Sequence, residues 1–251
     1  MFRPYIIFLS YGKKMTMDHL QKIETHIVTT RIEAVIFDFD GTLAELHLDF
    51  DEMRAAIADL LSQYNLPSQE FEHFYLLEMI EAGKKRLTET ADQRGEAFRR
   101  DAMARIEQME IQAAGRSDLF AGVKEMLKEI RNQSVLTGII TRNCHRAVQT
   151  VFPDYENYVD ALVSREMTQH VKPDPGHLTK ILSLLNIPAR RCLMVGDHPI
   201  DVQIGKNLGA LTAAVLTGTG KHEDFKRAQP DFLLHNVLEI RDVIDSFAPH
   251  R

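Results

Sequence analysis

The stretch "AVIFDFDGTLAEL", residues 34–46, opens on an apolar run and then sets two acids, Asp38 and Asp40, two positions apart. Carboxylates at the end of a buried strand are unfavourable unless something compensates their charge. Gly41 and Thr42 follow at once, a pair suited to turning the chain tightly away from the strand. Residues two apart on a strand share a face, so both acids are expected on the same side.

Five further apolar runs resemble the first: "LTGIIT" (136–141), "DALVS" (160–164), "RCLMVG" (191–196), "LTAAVL" (211–216) and "DFLLH" (231–235). Continuous rather than alternating apolar character suits a parallel sheet covered on both faces. Helical patterns lie between the runs: "VKEMLKEIRN", "RAVQTVF", "GHLTKILSLLN" and "DVQIGKNLG". The alternation predicts an α/β, Rossmann-like core with right-handed crossovers. Residues 44–118 break the alternation. They contain no convincing strand and carry three amphipathic stretches, "DFDEMRAAIADLLSQY", "FEHFYLLEMIEAGKKRL" and "ADQRGEAFRRDAMARIEQM", with "NLPSQ" as a turn after the first. The expected organisation is an N-terminal arm (1–30), a core domain (31–43 and 119–251) and an inserted all-helical domain (44–118).

The chain of 251 residues is long enough for a core plus an insert. Its net charge of −6 gives no basic footprint for nucleic acid. Cys144 and Cys192 sit in or beside apolar segments without C-x-x-C spacing and read as buried reduced thiols, as in the cytoplasm. The apolar patch at residues 5–9 is too short to span a membrane, and no small-residue cleavage site follows it.

The polar residues that interrupt the pattern fall in telling places. Asp38 and Asp40 end the first run, Thr141 ends the second, Asp197 follows the fourth, and Asp201 comes four residues later. In an open α/β sheet the carboxyl ends of the strands converge on the ligand crevice, so these distant residues are expected to meet. Lys172, in "HVKPDPGHL", stands just before a helix start stiffened by prolines. Clustered acids repel one another unless a cation or proton intervenes. An all-oxygen donor set suits Mg²⁺, and the scattered histidines offer no zinc spacing. A carboxylate placed in line can attack phosphorus, and a second acid can protonate the leaving oxygen and then deprotonate water. Hydrolysis of a phosphate monoester requires a barrier reduction on the order of 20 kcal/mol or more. Metal, lysine, hydroxyl and backbone donors must therefore act together.

Taken together, "DFDGTL", "GIIT", the lysine of "VKPDP" and "GDHPID" resemble, in order and spacing, the four motifs of the haloacid dehalogenase superfamily. "DLFAGVKEML" and "GKNLGALTAAV" are similar to its phosphoglycolate phosphatase-like branch. The likeness runs from Glu33 to about Ile240. It implies a magnesium-dependent phosphatase acting on a small phosphorylated metabolite through an aspartyl-phosphate. By this resemblance Asp38 is the nucleophile and a magnesium ligand. Asp40 is the general acid/base and lends its backbone carbonyl to the metal. Thr141 binds the phosphoryl group, Lys172 neutralises Asp38 and the transferring charge, and Asp197 and Asp201 complete the metal site. The insert matches a helical cap that closes over the site.

Other readings stand beside this one. A sugar-phosphate mutase shares all four motifs. Carbon–halogen hydrolysis is disfavoured by the second acid, and a silent binding protein by the intact motif set. Arg142 and Asn143 either reach phosphate or only close the loop after Thr141. His198 departs from the usual fourth motif and is either a substrate contact or a half-exposed turn residue. Lys84, Lys85, Arg86, Arg99 and Arg100 read better as a solvated helix face than as an anion lure. "TGTGKHED" (217–224) fails the phosphate-loop pattern, with Val215 in place of the first glycine and His222 after the lysine, and reads as a flexible loop.

Overall fold

The computed structural model describes residues 31–45, 47–89 and 94–247. The expected N-terminal arm lies outside them, as do residues 91–93 of the third amphipathic stretch. By its contacts the chain divides into two units, one of them His47–Ser117 and the other formed by the chain on either side of it.

The larger unit is a parallel α/β layer structure. Its strands are β1 (Ala34–Phe37), β2 (Leu136–Ile140), β3 (Ala161–Val163), β4 (Cys192–Gly196), β5 (Leu211–Val215) and β6 (Phe232–Leu234), in the order β3-β2-β1-β4-β5-β6. Every neighbouring pair is parallel. All six apolar runs therefore contain strands, each shorter than its run. One face packs side chains of α4 (Val123–Asn132), α5 (His145–Val151) and α9 (Ile240–Ser246) on Val35, Phe37, Ile139 and Val195. The opposite face packs α6 (Gly176–Leu185) and α7 (Pro199–Asn207) on Ala34, Ile36 and Met194. Helix α8 (His222–Ala228) anchors Phe225 against Val202 and Ala214.

Two buried threonines link neighbouring strands in the same way. Asp160 accepts hydrogen bonds from the Thr137 backbone N–H (2.8 Å) and hydroxyl (3.2 Å). Asp231 does the same for Thr212, at 2.8 Å for both. These pairs satisfy buried polar groups where the edge strands begin.

The smaller unit is helical: α1 (Phe50–Gln63), α2 (Leu76–Glu89) and α3 (Arg94–Ala114). Asp49 caps α1 by accepting from the Glu52 N–H at 2.9 Å. Its core includes Ile57, Leu61, Ile80, Phe98 and Ile106, all fully buried. Helix α2 starts later than the pattern from Phe71 suggests. The Arg54 guanidinium takes the carbonyls of Glu72 and Phe74, at 2.7 Å each, and holds that segment outside the helix. Four of the five basic residues singled out in the sequence face acids: Lys84–Glu96 at 2.8 Å, Lys85–Glu89 at 3.8 Å, Arg99–Glu81 at 2.5 Å and Arg100–Asp101 at 3.5 Å. Among the described residues no helix is long and apolar enough to cross a membrane.

Candidate active site

The sheet order reverses between β1 and β4: the chain runs outward through β2 and β3, then returns to the other side of β1. Such a switch point opens a crevice at the strand carboxyl ends. Register makes these ends level, with Phe37 opposite both Ile139 and Val195. Asp38, Thr141 and Asp197 are each the first residue beyond their strand. The strand stops at Phe37, so the acids do not share a strand face as expected. The Asp38 N–H still donates to Val195 at 2.8 Å, while Asp40 sits at an isolated bridge with Ala44, past the end of the ladder. Gly41 adopts φ 77°, and the chain turns there at no Cβ penalty.

Oxygen atoms of Asp38, Asp197 and Asp201 lie within 4.8 Å of one another. The buried Lys172 ammonium bridges two of these acids, 2.7 Å from Asp38 Oδ1 and 2.7 Å from Asp201 Oδ1. Burial works against the lysine charge, but Asp201 and Asp38 outweigh it and hold its pKa above the usual value. One cation does not satisfy three acids. Burial first, then the charges of Asp38 and Asp201, pushes the Asp197 carboxyl up to about 8. For Asp201 burial is again the largest cause; Lys172 opposes it, Asp38 adds to it, and the carboxyl rises to about 6. A buried all-oxygen set with excess negative charge fits Mg²⁺, which would hold these groups ionised.

Asp40 has different company. Asn143 Nδ2 donates to both of its carboxylate oxygens, at 3.2 and 3.1 Å, and the Thr141 hydroxyl stands 3.5 Å away, at the limit of a hydrogen bond. The Thr141 hydroxyl accepts from the Asn143 N–H at 3.0 Å. Arg142 donates to the carbonyl of Lys172 and so joins the β2 loop to the lysine loop. His198 caps α7: its Nδ1 accepts from the Ile200 N–H at 3.2 Å, and its own N–H donates to Asp201 Oδ2 at 3.1 Å. Burial lowers the His198 pKa.

The structure adds residues that the sequence pattern does not single out. His177 is completely buried on α6. Its Nδ1 accepts from the Lys172 N–H at 3.2 Å, and its Nε2–H donates to the Val163 carbonyl at 3.0 Å. Burial above all, then the Lys172 charge, lowers its pKa to about 4. The stretch after β5 is also built into the site, against its reading as a flexible loop. The Thr219 N–H donates to Asp197 Oδ2 at 2.7 Å, and the Thr217 hydroxyl donates to the Gly41 carbonyl at 2.6 Å. Backbone donors leave no mark on residue identity, and His177 stands outside the four motifs, so neither was legible beforehand.

Comparison with known proteins points to a family. The family described as haloacid dehalogenase-like hydrolase matches residues 35–215. An N-acetylmuramic acid 6-phosphate phosphatase of Pseudomonas putida is 29% identical over 222 residues, covering 86% of this chain and 97% of that one. The pyrophosphatase PpaX of Listeria welshimeri is 25% identical, covering 86% of this chain and 98% of that one. A solved hydrolase structure from Pseudomonas syringae superposes with a TM-score of 0.64 at 19% identity, covering 86% of this chain and all of that one, which supports the fold.

Proposed function

The chain belongs to the haloacid dehalogenase-like hydrolases, and from that membership we propose that it is a magnesium-dependent phosphatase cleaving a small phosphomonoester through a phosphorylated Asp38. The observation that carries this reading is the buried Lys172 ammonium, 2.7 Å from both Asp38 and Asp201, beside a third acid, Asp197. Asp38, Asp197, Asp201 and the Asp40 carbonyl are the groups assigned to hold Mg²⁺. Bound there, the ion would offset negative charge on the phosphoryl oxygens.

The chain's own residues then divide the work. Lys172 offsets the charge of Asp38, and an Asp38 oxygen attacks phosphorus. The ester oxygen leaves with a proton from Asp40. Asp40 next takes a proton from water, whose oxygen attacks the same phosphorus and frees phosphate and the Asp38 carboxylate. Thr141, and donors of the loop after β2, orient the phosphoryl group. Arg142 and Asn143 serve that loop by holding Lys172 and Asp40. The helical unit is assigned as a cap, supported by its insertion directly after the Asp38–Asp40 turn.

Phosphorylated amino-sugar acids and pyrophosphate stand first in a substrate panel, because the relatives from Pseudomonas putida and Listeria welshimeri carry those names. The test is phosphate release across metabolites with Mg²⁺ and with EDTA. Asp38→Asn is expected to fold and to lose turnover. Full activity in that variant, or activity indifferent to EDTA, would overturn the reading. Net isomerisation without phosphate release would select the mutase instead.

A further inference from the structure

Residues 217–220, "TGTG", fit no nucleotide-binding pattern, yet they make a dense set of contacts in the site. Asp197 is gripped twice: Thr219 N–H donates to its Oδ2 at 2.7 Å, and Gly220 N–H donates to its backbone carbonyl at 3.0 Å. The Thr219 hydroxyl adds a longer contact to Oδ2 at 3.3 Å. Asp197 Oδ1 carries none of these bonds. The Thr217 hydroxyl reaches the Gly41 carbonyl at 2.6 Å, in the turn that follows Asp38 and Asp40. The Leu216 N–H donates to Leu234 at 3.1 Å and fixes the base of the loop to β6.

Packing is as close as the bonding. A Cβ on Gly218 would lie 1.9 Å from Asp197 Oδ2, and a Cβ on Gly41 would lie 2.9 Å from Gly218 Cα. Gly41, Gly218 and Asp197 therefore meet with no room for a methyl group. Asp38 and Asp197 come from different strands, and this loop spans from the turn after the first acid to the carboxylate of the second.

We propose that residues 217–220 are a positioning element for Asp197, fixing one of its oxygens on backbone donors and holding β1's turn against it, so that the carboxylate cluster is set for Mg²⁺ before the ion arrives. The inference rests on the magnesium reading above. Partners that orient a ligating carboxylate contribute to metal affinity without touching the metal. The loop acts through Asp197 and is assigned no contact with substrate.

The test is calorimetric titration of Mg²⁺ into the full chain, with melting temperatures in EDTA measured alongside. Gly218→Ala is expected to weaken Mg²⁺ binding by about 10- to 100-fold. Thr217→Val is expected to weaken it as well, by more than its small loss of metal-free melting temperature accounts for, and Thr217→Ser to restore it. A role confined to folding would move the melting temperature rather than the affinity. If Gly218→Ala fails to fold, the Thr217 pair decides alone. Wild type that binds Mg²⁺ while the folded variants bind it equally well overturns the positioning role and leaves the magnesium reading standing. Wild type that shows no Mg²⁺ binding overturns the magnesium reading and the loop's role with it.

Discussion

Lys172 stands 2.7 Å from Asp38, whereas Asn143 donates to both oxygens of Asp40. The ammonium offsets the charge of Asp38, whereas the Asn143 amide orients Asp40 through both of its carboxylate oxygens. That difference in partners is the physical basis for giving two like acids different tasks. Asp40→Asn should lower kcat on an alkyl phosphate by about 10²- to 10⁴-fold. With p-nitrophenyl phosphate, whose leaving group needs no proton, the first step should survive. The phosphorylated chain should then accumulate and be visible by intact mass. Wild-type turnover of the alkyl ester would remove Asp40 from proton transfer. His177 is tested by acid. Its folded pKa of about 4 lies below the unfolded value of 6.5, so the unfolded chain takes up the proton first as the pH falls. The stability from the neutral ring is full above pH 6.5 and is lost towards pH 4, on the order of 3 kcal/mol in all. Urea unfolding of wild type and His177→Gln should therefore show a stability gap that shrinks as the pH is lowered through that window. A gap independent of pH would mean that the ring contributes packing alone.

At the scale of elements, the six strands were legible because a parallel strand covered on both faces must be apolar throughout, and each run contains its strand. The helix spanning 123–132 was legible for a related reason: its apolar residues Val123, Met126, Leu127 and Ile130 face the sheet. Helix α2 was misread at its start because periodicity is blind to a side chain reaching from another helix. Arg54 occupies two carbonyls that a continuous helix would have used. Arg54→Ala should destabilise the helical unit by about 1–2 kcal/mol in urea unfolding. Arg54→Lys should not rescue it, since an ammonium lacks the planar fork that spans two acceptors. Full rescue by lysine would show that charge, not geometry, holds the segment. The placement of Asp38, Thr141 and Asp197 just beyond their strands was legible from their types and positions. The donors that hold them were not, because Thr219 and Gly220 act through backbone N–H groups that every non-proline residue possesses.

The whole molecule divides between two units, and the assigned metal ligands, Asp38, Asp197 and Asp201, all belong to the α/β unit. An ion that binds only the folded state stabilises whatever it holds together, by about 2.7 kcal/mol when present at a hundred times its Kd. The carboxylates stand at the ends of β1 and β4, strands far apart in sequence and adjacent in the sheet, and on α7, which follows β4 directly. Occupying the site should therefore slow opening of the central strands first. Hydrogen exchange measured with Mg²⁺ and with EDTA should show added protection in β1, β4 and the loop after β5. Exchange within His47–Ser117 should stay unchanged while no substrate is present. Protection spread evenly over both units would mean that the metal couples them without substrate. A response confined to the helical unit would place the ion somewhere other than the carboxylate cluster.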